Sequence, residues 1–234
     1  MSDSSQPVLE LRDVACGADG HALRGLSLRV RAGGFYLITG ECAGLHAALQ
    51  RVLGLVDAPQ SGEVFLEKRS VGKLAESDRD EVRNQRCGFL FAAPFLLPAF
   101  TVVENVAMPL FKISHVTPEE ARERTEMLLE FVGLTLEAQH SIDDLTDFQQ
   151  HAVALARALA NDPAVITAEN LETTLAPEDA TTFTALLRKC CARFGVAVIA
   201  SGSADFPFEP GDHILAIDGD GVVRESIIEG KPIA

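Results

Sequence analysis

The pattern of apolar and polar residues predicts paired strands at the start of the chain. Residues 8–14 read VLELRDV and residues 23–30 read LRGLSLRV, so apolar side chains recur at almost every second position. The segment 17–20 between them supplies a turn, which predicts an antiparallel opening. A continuous apolar strand at residues 35–39 follows and leads into a loop that begins at Gly40.

The rest of the chain alternates between helical spacing and short apolar runs. We predict helices at residues 45–55, 77–85, 117–132, 144–159 and 177–194. We predict strands at residues 63–67, 87–91, 164–168 and 196–201, and a small hairpin within residues 213–229. Apolar strands that alternate with helices indicate an α/β fold, with a mostly parallel sheet covered on both faces.

One apolar segment, residues 95–110, fits neither pattern. Prolines at positions 94, 98 and 109 make it too irregular for an ordinary core strand. Two interpretations stay open: the inner face of a helical subdomain, or a surface that docks onto another protein.

Composition narrows the classes of function. The 234 residues are 47% hydrophobic, enough to bury the core of one α/β domain with room for a helical subdomain. A net charge of −14 disfavours binding to nucleic acid or to an anionic membrane surface. No apolar run reaches the roughly 18 residues that span a bilayer, and the start MSDSSQP is no signal peptide. Five cysteines without C-x-x-C pairing indicate reduced intracellular thiols.

The loop at Gly40 lies where a phosphate-binding loop is expected, between a strand and a helix. Such a loop reads G-x-x-x-x-G-K-[ST], because backbone amides surround the phosphates, the lysine reaches the outer phosphates and the hydroxyl holds Mg²⁺. Gly40 keeps the first glycine. Leu45 replaces the second glycine, His46 replaces the lysine and Ala47 replaces the hydroxyl residue. The flanking loop positions are Glu41, Cys42, Ala43, Gly44 and Ala48.

Residues 83–110, 153–163 and 54–64 closely resemble ABC-transporter ATPases of the lipoprotein-release and macrolide-exporter type. The resemblance extends over about residues 8–230. It implies the P-loop NTPase-like fold of ABC ATPases, with an N-terminal antiparallel β portion beside the mostly parallel sheet. It also implies one domain over residues 1–234, with a helical subdomain at about residues 92–160.

The resemblance further implies where the nucleotide-site positions lie. The signature LSGGQ matches residues 145–149, where Asp147 and Phe148 replace two glycines that approach the γ-phosphate. Asp147 would repel the phosphate and Phe148 would obstruct it. The metal and water-polarising pair matches Glu169 and Asn170, and a neutral amide is no general base. The remaining matches are Ala92 for the glutamine that links metal to permease, Ser203 or Gly202 for the switch histidine, Ala176 for an inter-subunit aspartate and Cys16 for the adenine-stacking aromatic residue.

Each replacement alone is compatible with tolerated drift. Glu41 and His46 are more often solvated loop residues, and Cys42 more often fills a serine-sized niche. Together the losses are concentrated at residues that touch ATP, Mg²⁺ or water, while the neighbouring scaffold stays family-like.

The resemblance therefore implies a pseudo-ATPase: a structural or regulatory subunit of a membrane transport complex, with weak or absent binding of ATP and Mg²⁺. The expected partners are a membrane permease, an intact ABC ATPase paralogue or a second copy, with no nucleic acid. The expected place is the cytoplasm, peripheral to the inner face of the membrane. By family analogy, the docking residues are Phe91, Phe95, Leu96, Leu97 and Phe100. Two alternatives stay open: an ATPase that works through unorthodox contacts, and a cytosolic scaffold or sensor for another ligand.

Overall fold

The computed structural model describes residues 6–18, 21–40, 42–113, 116–170, 173–202 and 208–229. These residues form ten strands: β1 Pro7–Ala18, β2 His21–Arg31, β3 Phe35–Gly40, β4 Ser61–Leu66, β5 Arg69–Ser70, β6 Cys87–Leu90, β7 Val165–Glu169, β8 Ala197–Ser201, β9 His213–Ile217 and β10 Val223–Ile227. They also form six α-helices: α1 Ala43–Leu53, α2 Glu76–Arg86, α3 Val102–Lys112, α4 Pro118–Val132, α5 Asp147–Leu159 and α6 Pro177–Phe194.

The strands build two sheets. An antiparallel sheet has the order β2-β1-β4-β5, which confirms the antiparallel opening. The second sheet has the order β10-β9-β3-β8-β7-β6, and only β10 runs antiparallel to its neighbour. The α/β class with a mostly parallel sheet is therefore confirmed.

Two hydrophobic clusters cover the two faces of the parallel sheet, because successive strand residues point to opposite faces. In β3, Leu37 joins the cluster formed with α3 to α6, whereas Tyr36 and Ile38 join the cluster formed with α1 and the antiparallel sheet. Helices α3, α4 and α5 also pack on one another within the range expected for the helical subdomain. The division into subdomains itself stays a prediction. Within the described residues, no helix combines the length and apolar character needed to cross a membrane.

Helix α3 was not predicted from the sequence. Its start is fixed by a capping box, in which the Thr101 side chain accepts from the Glu104 amide and the Glu104 carboxylate accepts from the Thr101 amide. Val102, Val106 and Leu110 are spaced four residues apart and are buried. The apolar segment thus divides: its second half is the inner face of a helix, and its first half remains irregular and largely exposed.

Candidate functional site

The candidate site lies at the carboxyl edge of the parallel sheet. Strands β3, β8, β7 and β6 are neighbours in that order, so Gly40, Ser201 and Glu169 end adjacent strands. Glu169 and Ser201 pair directly in the register. Ala92 follows β6 by two residues. The structure therefore gathers the positions expected for phosphate, metal and water contacts along one edge, where ligands of open α/β sheets bind.

The phosphate-loop position keeps its backbone but changes its side chains. Gly40 has φ 135°, and a Cβ there would lie 2.1 Å from the carbonyl oxygen of Ile217, so only glycine fits. Helix α1 starts after Cys42, whose side chain makes no capping hydrogen bond. Leu45 is 1% exposed and belongs to the core cluster under α1. Ala47 is exposed and carries no hydroxyl that could hold a metal. Nearby, Gly44 is half-buried and Ala48 is buried.

His46, at the lysine position, is buried rather than solvated. Only 8% of the residue is exposed, so the expectation of a solvated loop residue is wrong. Its Nε2 has no hydrogen-bond partner among the described residues. Burial lowers the pKa of the imidazole, and a hydrogen bond with the Thr39 backbone only partly opposes this shift. The ring is therefore a neutral group at neutral pH, where the family has a fixed positive charge.

Gln50 joins the helix after the loop to the strand that carries Glu169. Its Nε2 donates to the carbonyl oxygen of Ala168 at 2.8 Å and lies 3.5 Å from that of Ile199. The residue is 3% exposed. In the sequence, Gln50 is a polar residue beside the apolar positions of α1, and this pattern alone does not predict a contact with β7.

Asn170 and Ser201 contact each other at the end of β7 and β8. The Ser201 hydroxyl donates to Asn170 Oδ1 at 3.3 Å and accepts from the Asn170 amide at 3.3 Å. Asn170 has φ 41°, a left-handed conformation that asparagine tolerates better than most residues. The backbone N–H and the side-chain oxygen of Asn170 thus both contact the Ser201 hydroxyl. The neutral side chain of Asn170 has no basic group with which to activate water.

The signature positions begin helix α5. Thr146 and Gln149 form a capping box, so the hydroxyl and the side-chain amide oxygen both serve the helix start. Asp147 is exposed in the first turn. Phe148 is half-buried and packs against the core cluster, edge-on to Phe183 with ring centroids 6.1 Å apart. The obstruction expected from Phe148 and the charge repulsion expected from Asp147 both stay predictions.

His151 is a site residue that the sequence did not reveal. It is 3% exposed on the inner face of α5. Its Nδ1 lies 2.8 Å from the carbonyl oxygen of Asp147, and its Nε2 lies 3.0 Å from that of Ala92. The Thr174 hydroxyl donates to the same Ala92 oxygen at 2.7 Å and lies 3.1 Å from Nε2. One imidazole thus contacts three of the segments that the sequence comparison singled out.

The segment expected to dock onto a partner exposes most of its apolar residues. Exposure is 68% for Phe95, 44% for Phe100, 37% for Phe91 and 36% for Leu97. Leu96 is the exception, because it is half-buried and packs against the core cluster, so it does not belong to an exposed face. Phe91 and Phe95 meet edge-on with centroids 5.5 Å apart.

The other expected positions contribute little chemistry. Cys16 is buried beside a cavity of about 250 Å³ that Ala48 and Val52 also line, and it has no ring on which a base could stack. Burial raises the pKa of the Cys16 thiol to about 11. Ala176 stands at the N-cap of α6 without a capping side-chain bond. Glu41 and Ser203 lie outside the described residues. Across the described part of the chain, no group of three or more His, Cys, Asp or Glu could hold a metal ion.

Comparisons with known proteins agree on one family. The family model for ABC transporters matches residues 23–170. The lipoprotein-releasing system ATP-binding protein LolD of Acinetobacter baylyi is 38% identical over 170 residues, which cover 70% of this chain and 75% of that protein. LolD of Saccharophagus degradans is 33% identical, covering 83% of this chain and 87% of that protein.

Solved structures repeat the fold. The dimeric, post-hydrolysis ATP-binding cassette MJ0796 bound to ADP and Pi matches with a TM-score of 0.77 and 27% identity, over 95% of this chain and 100% of that one. CbiO1 from Clostridium perfringens, part of the ABC transporter complex cbiONQ, matches with a TM-score of 0.82 over 95% of this chain and 89% of that one. At 19% identity, this second likeness concerns the fold alone.

Proposed function

The chain belongs to the ABC transporter family, and from that premise we propose that it is a transport-complex subunit that keeps the cassette fold but does not hydrolyse ATP. One observation carries the proposal. The residue at the phosphate-binding lysine position, His46, is buried, and its Nε2 has no partner within the described part of the chain. A buried, neutral imidazole cannot give the outer phosphates the fixed charge that phosphoryl transfer uses.

We infer that the residues of this site do not fit Mg-ATP. Ala47 has no side-chain oxygen for a metal, and the side-chain oxygen of Asn170 accepts a hydrogen bond from Ser201. Glu169 is half-buried at the end of β7 and keeps a carboxylate, but Ala47, at the loop position expected to hold the metal, gives it no second ligand side chain. Metal, lysine and water-orienting groups act as a unit in phosphoryl transfer, so losses at three of them are more severe than any single loss.

The proposed partners follow from the relatives. Two of them are named as ATP-binding proteins of a lipoprotein-releasing system, and one solved neighbour is dimeric. We propose that this chain likewise works beside a membrane permease on the cytoplasmic side, paired with an intact ATPase relative or with a second copy. The exposed aromatic residues Phe91, Phe95 and Phe100 supply an apolar face for that contact.

The main alternative is an ATPase that turns over through unorthodox contacts. Gly40 and Glu169 favour it, because the tight backbone turn and a carboxylate at the expected metal position are kept. Calorimetry with Mg-ATP separates the two functions. We expect no binding at micromolar nucleotide for the purified protein, and no phosphate release. Micromolar affinity would defeat the binding part of the proposal, and turnover abolished by Glu169→Gln would establish the ATPase.

Docking is tested independently of nucleotide. Phe95→Asp combined with Leu97→Asp places two charges on the exposed face and should abolish co-purification of the native permease. Leu136→Asp is the matched control, because Leu136 is 89% exposed and lies outside the segment. Co-purification that survives the double change in a folded protein would contradict the docking assignment.

A further inference from the structure

The segment at residues 92–100 has no regular secondary structure, yet side chains from two helices hold its backbone. Irregular backbone stays ordered only where its polar groups find partners. Here the carbonyl oxygen of Ala92 accepts a hydrogen bond from Thr174, and those of Pro94 and Phe95 accept from Arg157. The partners of this segment therefore decide how rigid the docking face is.

Four side chains contact the backbone of this segment: Arg157, Asn105, His151 and Thr174. Arg157 on α5 donates to the oxygens of Phe95 at 2.8 Å and Pro94 at 2.7 Å. Asn105 on α3 is fully buried; it accepts from the Leu97 amide at 2.8 Å and donates toward the Leu97 oxygen at 3.1 Å. His151 lies on α5 itself. Its Nε2 is 3.0 Å from the Ala92 oxygen and its Nδ1 is 2.8 Å from the Asp147 oxygen one turn earlier in the helix, and the neutral ring donates through one of these two nitrogens.

Ala92 occupies a position at which the family resemblance predicts a functional side chain. The family resemblance places there a glutamine whose side chain links the metal to the permease. Alanine has no such group, but its carbonyl oxygen accepts from the Thr174 hydroxyl and lies 3.0 Å from His151 Nε2. A link that would run through a bound metal is thereby replaced by hydrogen bonds within the protein.

We propose that His151 is a positioning residue that fixes the docking segment to the start of α5 and to the loop after β7, so that the docking face is held in place without nucleotide. These contacts are independent of the proposed function. The inference that they prepare the docking face for a permease rests on the proposed function.

The experiment is hydrogen–deuterium exchange of the full chain, without nucleotide or partner. His151→Phe keeps a ring that can pack edge-on to Phe183, as His151 does at 5.9 Å, but it loses both ring nitrogens. We expect the amides of Leu97 and Phe100, both hydrogen-bonded in the segment, to exchange at least fivefold faster. His140→Phe is the matched control, because His140 is exposed, and it should leave these amides unchanged.

Two further variants keep the test decisive if His151→Phe fails to fold. Thr174→Val removes the other donor to the Ala92 oxygen and should raise exchange in the same segment, whereas Thr182→Val, which removes a similar bond on the exposed face of α6, should not. His151→Gln keeps an amide donor and should restore part of the protection.

Unchanged exchange at Leu97 and Phe100 in both His151→Phe and Thr174→Val would overturn the inference. So would equal acceleration across the whole chain, because that would indicate a role in global stability only. Addition of Mg-ATP to the wild-type protein should leave the segment unchanged; a protection that appears only with nucleotide would refute nucleotide-independent positioning. If ATP binds tightly but the exchange of residues 92–100 stays the same, the proposed function is wrong and the positioning role of His151 is still supported.

Discussion

The side-chain amide of Gln50 and the carbonyl oxygen of Ala168 lie 2.8 Å apart and join the helix after the phosphate-loop position to strand β7. The bond is buried and links helix α1 directly to the sheet beneath it. The protein thus fixes the spacing between Gly40 and Glu169 by its own contacts.

Replacing Gln50 with leucine should destabilise the fold. Leucine has a similar volume, so the change mainly removes the donor and leaves the Ala168 oxygen buried without it. A buried polar group that loses its partner costs about 1–3 kcal/mol, and we expect a loss near the lower end in urea unfolding. Gln85→Leu, at an exposed position of α2, is the matched control and should change stability little. Equal stability of Gln50→Leu and the wild type would show that the bond contributes nothing.

The opposite sign is expected at His46. Its Nε2 is buried without a partner among the described residues, which costs free energy that an apolar side chain would not. His46→Phe keeps a planar ring and removes this nitrogen, but it also removes the hydrogen bond with the Thr39 backbone, so we expect a net gain of less than about 1 kcal/mol in the free energy of unfolding. A loss greater than about 1 kcal/mol would contradict this expectation, because the lost Thr39 bond would then outweigh the removal of the unpaired nitrogen.

The same residue sets a pH dependence. Burial lowers the pKa of His46 in the folded protein, whereas the unfolded chain keeps the ordinary value near about 6.5. Below that pH the unfolded state therefore binds more protons, and stability falls as the pH is lowered. We expect the wild-type protein to lose more stability than His46→Phe between roughly pH 7 and pH 5.5. Asp57 does not interfere in this window, because its pKa is lowered by Arg51 and its contribution is lost only at more acidic pH. Parallel pH profiles for the two proteins would contradict the assignment.

The sequence predicts helices correctly where local start and stop signals agree with the pattern of buried apolar residues. Helix α6 was predicted with its observed bounds, because Pro177 favours a helix start and Gly195 adopts the left-handed conformation that ends one. Helix α3 was missed because Pro109 inside it read as a breaker, whereas buried Val102 and Val106 hold that helix in place.

The site was only partly accessible to such reasoning. Motif spacing located Gly40, Glu169 and Asn170, and the sheet then brought them to one edge. Whether a side chain at these positions is exposed depends on tertiary packing, which is why His46 was misread and why Phe148 packs against the core. The role of His151 could not be predicted from the sequence for the same reason, because its ring contacts backbone oxygens that lie 4 and 59 residues away in the chain.

Restoring single residues should not restore activity. His46→Lys would supply charge, but Leu45 would still occupy the glycine position and Ala47 would still lack a metal ligand. Asn170→Glu would add a base with no metal to serve, and it would place glutamate at φ 41°, which favours asparagine. Because the groups of such a site act as a unit, we expect phosphate release at background for each single variant. Robust turnover from either one would show that the site is far less dismantled than we propose.

Pairing with an intact ATPase relative should lower the activity of that relative. In the family's head-to-tail dimer each site combines one subunit's phosphate loop with the other subunit's signature, so this chain would weaken both sites. At the site built on the partner's loop, the exposed Asp147 would bring a negative charge toward the γ-phosphate. Like charges about 4 Å apart repel by roughly 1 kcal/mol in bulk water and about 4 kcal/mol at an effective dielectric constant near 20.

That range disfavours ATP-driven closure by a factor between about five and several hundred. The measurement is phosphate release by the intact ATPase that co-purifies with this chain, titrated with the wild-type protein or with Asp147→Gly. We expect the wild-type protein to inhibit and Asp147→Gly to inhibit less, because the variant removes the charge. His140→Gly, which changes a different exposed residue, should inhibit as the wild type does. Stimulation of the partner's phosphate release that requires Asp147 would contradict this prediction. The acidic side chain would then assist the nucleotide site that it is expected to weaken.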